Sequence, residues 1–348
     1  MSGVTRSVVL SLVLAVPVFA QTEQRSVRGA HVAIYNLAGK LRAVPGTGDA
    51  VVVDITRAGA DAAQLKIETG PIRERQTLRI IYPSDRIVYP DMRGSRTNMY
   101  VRDDGTFSEG SWDEMRSRDR VEIRSYGPGL EAHADLVVHV PRGQKLDLYV
   151  AVGRTEIANV EGDLLVHVGS ADVDVSGTKG NLTLDTGSGR VAVRDVTGSV
   201  NVDAGSGGMT IDRVKGDILD LDSGSGGVQG SDVEVRQFKA DVGSGGLRMY
   251  RMKANDVNVE TGSGGATLEL LSNFDRMSVE TGSGGATIRA PATLSAEVDV
   301  ETGSGGFQTD FEITTRRVGR NHIEGRIGDG KGRIRIEAGF GSVRLLKS

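Results

Sequence analysis

Apolar and polar residues alternate along most of the chain, and from about residue 160 the alternation repeats at a nearly constant interval. Each repeat has apolar residues five and three positions before a glycine. The first of these positions holds Leu164, Leu182, Val200, Leu219, Phe238, Val257, Met277, Val298 and Ile334. A period of two residues is typical of a strand with one buried face and one solvated face. The pattern therefore predicts short β-strands in every repeat.

The glycine that marks each repeat opens a Gly-Ser-Gly-Gly motif or a close copy of it. The repeat length is 18 to 21 residues, measured between the markers Gly187, Gly205, Gly224, Gly243, Gly262, Gly282 and Gly303. A fixed period of this size indicates a solenoid. Alternation resumes after each motif, which predicts two main strands per rung joined by a glycine corner. Glycine suits a corner that needs positive φ and stacks on copies ~4.8 Å above and below.

Helical periodicity is nearly absent, so we predict an all-β fold, a single-chain β-solenoid that resembles a β-helix. Right-handed winding is expected because parallel crossovers favour it. The solenoid is assigned to residues 146–348, with a loop at 315–331 before the last rung. Residues 21–145 are expected to contribute strands that lead into the solenoid. An irregular insertion rich in arginine and aromatic residues interrupts them at 84–129.

The first 20 residues have the pattern of a secretory signal peptide. Arg6 precedes an apolar run from Val8 to Val16, and Val18-Phe19-Ala20 resembles a cleavage site. This run is too short to span a bilayer, and no later stretch reaches the ~20 apolar residues that a membrane helix needs. The chain has no cysteine, which excludes disulfides, thiolate metal sites and a cysteine nucleophile. We therefore expect an exported protein of the periplasm or cell surface, without a membrane-spanning segment in the mature chain.

Charge is distributed unevenly along the chain. The net charge of −4 is too small to indicate a nucleic-acid partner. Residues 180–310 carry 11 Lys/Arg against 19 Asp/Glu, whereas residues 311–348 carry 9 against 4. The solenoid is therefore predicted to have an acidic body and a basic end, a polarity that could orient stacking or a partner.

Acidic residues occupy the position two residues before the marker glycine in successive repeats. Asp203, Asp222, Asp241, Glu260, Glu280 and Glu301 form the central part of this column, and Asp185 and Glu337 extend it. If the rungs stack in register, neighbouring carboxylates stand ~5 Å apart and repel by about 1 kcal/mol per pair in water. Salt can screen this repulsion, and Lys239 or Arg335 can neutralise it. Bound divalent cations such as Ca²⁺ can also relieve it. The six central residues are the candidate metal ligands, and no other cofactor is expected.

The insertion supplies the candidate partner-binding residues. Arginine and aromatic side chains are enriched at protein interfaces, so the candidate residues are Tyr89, Arg93, Arg96, Tyr100, Phe107 and Trp112. The alternative is that the insertion caps the open first rung, because solenoids need capped ends.

Four motifs of the chain carry a resemblance to a known family. They are VAIYNLAG at 32–39, VHVPRG at 138–143, the Gly-Ser-Gly corners, and IEGRIGDG at 323–330 followed by IRIE at 334–337. The chain resembles the bacterial putative-adhesin family of β-strand-repeat exported proteins, which is related to the toast-rack domains. The resemblance implies an exported β-solenoid that functions in adhesion or envelope signalling, and it supplies no catalytic residues.

No catalytic constellation is evident in the sequence. The five histidines are scattered and match no known metalloprotease or hydrolase motif. We therefore predict a non-catalytic adhesin-like or envelope-scaffolding protein whose partner is an envelope protein, a surface protein or a glycan. The alternatives are a carbohydrate-binding or carbohydrate-cleaving β-helix protein that uses the insertion as a groove wall, and an envelope signalling partner.

Overall fold

The computed structural model describes residues 22–92, 94–108 and 119–348. Within these ranges the regular structure is β, apart from the short 3-10 helix Ala62–Gln64. The expectation of an all-β fold is confirmed. The described residues contain no helix that is long and apolar enough to cross a membrane. The predicted signal segment 1–20 lies outside the described residues, as do Arg93 and Trp112.

Nine strands precede the repeats. Five belong to the main sheet: β1 (Thr22–Val27), β2 (His31–Pro45), β3 (Val51–Ala58), β4 (Lys66–Ile72) and β5 (Arg75–Ile81). Four belong to the insertion: β6 (Arg86–Val88), β7 (Arg96–Val101), β8 (Asp119–Arg124) and β9 (Leu130–Glu131). The latter form a separate small sheet in the order β7-β8-β6-β9. The insertion is therefore more regular than its sequence suggests.

The repeats form strands that run parallel to their counterparts on the neighbouring rungs. These strands are β10 (His133–Val140), β11 (Gln144–Ala158), β12 (Gly162–Ser176), β13 (Leu182–Ser188), β14 (Val191–Thr197), β15 (Val200–Ser206), β16 (Met209–Ser223), β17 (Val228–Ser231), β18 (Glu234–Val242), β19 (Leu247–Thr261), β20 (Ala266–Leu270), β21 (Arg276–Thr281), β22 (Ala286–Ala290), β23 (Ala296–Thr302) and β24 (Phe307–Thr309). Leu164 pairs with Leu182, and Leu182 pairs with Val200 on the next rung. This parallel stacking is the predicted solenoid.

Parallel stacking begins before the repeats. Val32 of β2 is in register with Leu146 of β11, and Leu41 is in register with Thr155. Because β2 pairs in parallel with β11 on both sides of the corner, β2 is itself the first rung in the sequence. This opening strand therefore belongs to the solenoid, whereas β1, β3 and β4 pair antiparallel with their neighbours.

The C-terminal region differs from the predicted order. It forms β25 (Thr314–Val318), β26 (His322–Ile327), β27 (Gly332–Ala338) and β28 (Val343–Lys347). The segment 315–331, expected to be a loop, contains most of an antiparallel pair, β25 with β26. β27 is parallel to both β21 and β23, so its rung lies between the two rungs that precede it in sequence. It cannot lie at the end because β26 occupies the outer side of β23.

The two predicted inward columns form one continuous core. Leu182, Val200, Phe238 and Val298 of the first column are each at most 1% exposed. The equivalent side chains of β27, Ile334 and Ile336, are fully buried. Apolar burial along this stripe is the main source of stability in a chain without disulfides.

Glycine is required at the corners chiefly because successive corners touch. A Cβ added to Gly264 would lie 1.8 Å from the carbonyl oxygen of Gly245. Gly189 and Gly207 of the early corners do adopt positive φ, at 135° and 121°. Gly264 and the marker glycines lie outside the left-handed region. The predicted need for positive φ is therefore wrong at these positions, where close stacking alone excludes a larger residue.

Candidate functional site

The acidic residues two positions before the marker glycines lie in register along the solenoid. Asp185 is opposite Asp203, Asp203 is opposite Asp222, and the series continues through Asp241, Glu260 and Glu280. Glu280 is followed by Glu337, and Glu337 by Glu301. Strand pairing therefore spaces these carboxylates by one strand separation, ~4.8 Å. We call this set the acidic column.

An open groove of about 550 Å³ follows the second half of the acidic column. Its lining includes five carboxylates, from Asp241, Glu260, Glu280, Glu337 and Glu301. The glycine corners of the same rungs also contribute, among them Gly262 and Gly282. Because these corners carry no side chain, the groove remains accessible beside the carboxylates. We call it the acidic groove.

Six members of the acidic column have no ion pair with a lysine, arginine or histidine in the part of the chain that the structure describes: Asp203, Asp222, Asp241, Glu260, Glu280 and Glu301. These are the six candidate metal ligands named from the sequence. Lys239, one possible source of neutralisation, pairs instead with Asp220 at 3.7 Å. Arg335, the other, pairs with Glu337 on its own strand.

Among the described residues, the acidic column contacts a basic side chain only near its ends. At the start, His167 Nδ1 lies 2.9 Å from Asp185 Oδ2. Toward the last rungs, Glu337 has its partner Arg335. The middle of the column therefore carries consecutive charges of one sign.

Burial and repulsion act together on Asp203. Its pKa is raised above the ordinary value of an aspartate, first by partial burial and then by the neighbouring carboxylates Asp222 and Asp185. This direction is the one expected for like charges stacked at one strand separation.

Another column of the same solenoid is arranged in the opposite way. At the second turn of successive rungs, Asp195, Arg213, Asp232 and Arg251 all adopt positive φ near 55°. The Arg213 guanidinium donates two hydrogen bonds to Asp195, at 2.6 and 2.8 Å, and Arg251 Nε donates to Asp232 Oδ1 at 2.7 Å. Opposite charges alternate here, so stacking is favourable. This charge alternation was missed in the sequence analysis, although its signal, acid and arginine alternating at 18 or 19 residues, is present there.

The carboxylates of the acidic column run in single file. In the described residues no group of three or more His, Cys, Asp or Glu side chains is arranged to hold a metal ion. A cation bound here would contact neighbouring carboxylates and take its remaining ligands from water, as calcium and magnesium often do. Binding of calcium along the acidic column therefore remains a prediction.

The candidate partner-binding residues of the insertion have different environments. Phe107 is fully buried, with its ring edge-on to Tyr35 at 5.8 Å, and Tyr89 is 1% exposed. Their rings therefore pack inside the molecule and do not form a groove wall. Arg96 and Tyr100 lie on the exposed face of β7. Phe107 packs against the first rungs, as a cap would.

Comparison with known proteins gives the family. No curated protein matches the chain. Among solved structures, it is similar to a putative cell adhesion protein from Clostridium sporogenes, with 11% identity, coverage of 94% of this chain and 99% of that chain, and a TM-score of 0.21. It is also similar to a putative adhesin from Parabacteroides distasonis, with 11% identity, coverage of 93% and 96%, and a TM-score of 0.45. These values are too low to transfer a function.

The family model for Toastrack DUF4097 matches residues 132–345, more than half of the chain. The match begins just before β10 and ends within β28, so it includes every rung after the first. The resemblance proposed from the sequence is thereby confirmed, and the chain belongs to the Toastrack DUF4097 family.

Proposed function

We propose that this protein is an exported, non-catalytic, adhesin-like interaction protein of the cell envelope that binds cationic groups of a partner along the acidic groove. The observation that carries the proposal is the unneutralised middle of the acidic column, in register over consecutive rungs. The rigid stack holds these charges at a fixed spacing. A cationic partner would therefore meet a preformed surface and lose little binding energy to reorganisation.

A second column of the solenoid, in which aspartate and arginine alternate, supports this proposal by contrast. The fold accommodates stacked charges favourably where Asp195, Arg213, Asp232 and Arg251 alternate. In the acidic column it keeps charges of one sign, at a cost of about 1 kcal/mol per neighbouring pair in water. Binding of a cationic group removes that cost and adds attraction. The unfavourable charge in the free protein thus favours association.

The histidines support a role without catalysis. His31 Nε2 lies 2.8 Å from Asp147 Oδ2, and His139 Nε2 lies 2.9 Å from Asp54 Oδ2. His167 and His322 pair in the same way with aspartates of adjacent strands. His133 packs against the Tyr89 ring, with ring centroids 5.0 Å apart. Each histidine therefore makes a contact between strands or with the insertion, as expected for structural residues.

Binding of a lysine-rich peptide to the immobilised protein tests the proposal, with a glutamate-rich peptide of the same length as the negative probe. We expect binding of the lysine-rich peptide only, weakening with added sodium chloride. The variant Glu260→Gln/Glu280→Gln should lose at least about tenfold in affinity, because it removes two central groove charges. The matched control Glu234→Gln/Glu269→Gln removes the same charge outside the groove and should bind like the parent. Equal binding by the two variants would refute the groove as the binding face.

A further inference from the structure

The small sheet of the insertion has an outer face dominated by arginine. In the antiparallel pair of β7 and β8, Arg96 is directly opposite Arg124, and Tyr100 is opposite Arg120. In the parallel pair of β6 and β8, Arg86 is opposite Glu122. The alternate residues Val121 and Ile123 are buried, so the residues just named share the other face. We call this set of four arginines, Glu122 and Tyr100 the basic face.

The basic face holds more positive charge than it neutralises. Its four arginines outnumber two carboxylates, Glu122 and the exposed Glu131, which is opposite Val88 on the same face. The hydrogen bond from Arg124, with Arg96 and Arg86 nearby, lowers the pKa of Glu122. Among the described residues, neither Arg86 nor Arg96 forms an ion pair. Like charges placed directly opposite each other, as Arg96 and Arg124 are, destabilise a sheet. Tyr100 on this face is 45% exposed, and Tyr126 just beyond β8 is 75% exposed.

The groove of the same molecule cannot neutralise this face. The insertion lies between β5 and β10, and both of these strands pair with β2, the first rung. The groove begins at Asp241 on β18. Six strand separations lie between β2 and β18, through β11, β12, β13, β15 and β16. At ~4.8 Å each, this is roughly 30 Å, beyond the reach of an arginine side chain.

We propose that the basic face of one copy docks on the acidic groove of a second copy. This inference rests on the proposed function and names the partner of the groove. Both surfaces space their charged groups by the separation between hydrogen-bonded strands, so several guanidinium groups and carboxylates can meet at once. Arginine is suited to this contact because its planar fork binds a carboxylate through two hydrogen bonds. Tyr100 and Tyr126 add the aromatic area typical of interfaces.

The predicted contact joins two different surfaces, located toward opposite ends of the solenoid. Such a contact is heterologous, and each copy that binds leaves one groove and one basic face free. Association should therefore continue in a head-to-tail manner, forming chains or closed rings. A dimer that uses one identical surface twice is not expected.

Analytical ultracentrifugation of the purified protein tests the contact. The wild type should form assemblies larger than dimers at about 0.05 M NaCl and dissociate at about 0.5 M, because the attraction is screened. The face variant Arg86→Gln/Arg96→Gln and the groove variant Glu260→Gln/Glu280→Gln should each be monomeric alone. An equimolar mixture should form a dimer that grows no further, since each variant retains one intact surface. The control Arg248→Gln/Arg344→Gln, on another part of the solenoid, should assemble like the wild type.

A monomeric wild type at low salt, or a mixture of the two variants that does not dimerise, would overturn this inference. Binding of the monomeric wild type to vesicles containing anionic phospholipid, lost in Arg86→Gln/Arg96→Gln, would also overturn it and assign the basic face to a membrane surface. The lysine-rich peptide separates the two proposals. If the peptide binds the groove while the protein stays monomeric, only the self-association fails; if the peptide does not bind, both fail.

Discussion

Glu337 lies in register with Glu280, one strand away across the parallel pairing of β21 and β27. The two residues belong to repeats that are not consecutive in sequence, since the repeat containing Glu301 intervenes. The last rung of the sequence is therefore an internal rung of the structure. Its side chains have neighbours on both sides, and the acidic groove includes a carboxylate from it.

The internal position of this rung predicts a large cost for truncating its core residue. Ile336 is fully buried between Val279 and Val300. Ile336→Ala should lower the free energy of unfolding by about 2–5 kcal/mol, the range for deleting methyl groups from a close-packed core. Urea denaturation measures this change. Val318→Ala, at a side chain that is 68% exposed, is the control and should change stability by less than about 0.5 kcal/mol. Equally small stability changes in the two variants would contradict the placement of the β27 rung between those of β21 and β23.

The corner glycines should be intolerant of any side chain. In Gly264→Val the new Cβ would approach the Gly245 carbonyl oxygen to 1.8 Å, so the corners would have to separate. We expect a clear fall in the denaturation midpoint, and Gly264→Ala should show most of it because the clash is with Cβ itself. Gly306→Ala is the matched control, since a Cβ there meets nothing within 4 Å. If Gly264→Ala is as stable as Gly306→Ala, the corners do not stack closely.

The acidic column predicts a specific response to calcium. If divalent ions bridge neighbouring carboxylates, calcium should raise the melting temperature more than sodium chloride of equal ionic strength. The gain should shrink in Glu260→Gln/Glu280→Gln, because both residues have acidic neighbours on each side. Thermal melts in chelator, calcium and matched sodium chloride make the comparison. Equal shifts of the melting temperature in the two salts would show screening alone and refute calcium binding along the acidic column.

Asp203 predicts a pH dependence whose sign follows from its raised pKa. The folded state binds this proton more tightly than the unfolded state, so the contribution of Asp203 to stability falls as pH rises from its unfolded pKa through its folded pKa. Asp203→Asn should therefore stabilise the protein at neutral pH, and the gain should disappear at acidic pH. Urea titrations across the acidic range measure it.

Asp195→Asn is a control of opposite sign for this pH dependence. Arg213 holds the pKa of Asp195 below its ordinary value. Any stability that Asp195 contributes is present above its unfolded pKa and lost as pH falls through its folded pKa, so its replacement should not stabilise at neutral pH. If the two variants respond to pH in the same direction, the environments assigned to these aspartates are wrong.

The sequence by itself determined the internal arrangement of a single rung. Its two-residue alternation specifies which side chains enter the core, and the recurring glycines mark the corners. The same periodicity places the six central acidic residues on one column, which the parallel register confirms. These features are local, because strand geometry and repeat length fix which residues face the same way.

Only the tertiary structure decided the order of the last rungs and the partners of the charges. The local pattern of β27 fits any rung equally well; it lies between β21 and β23 because β26 occupies the outer edge of β23. Likewise, Lys239 and Arg335 pair with Asp220 and Glu337 and leave the middle of the acidic column unneutralised. The alternation of apolar and polar residues along the sequence cannot show these pairings. They depend on which strands become neighbours and on how far long side chains reach across them.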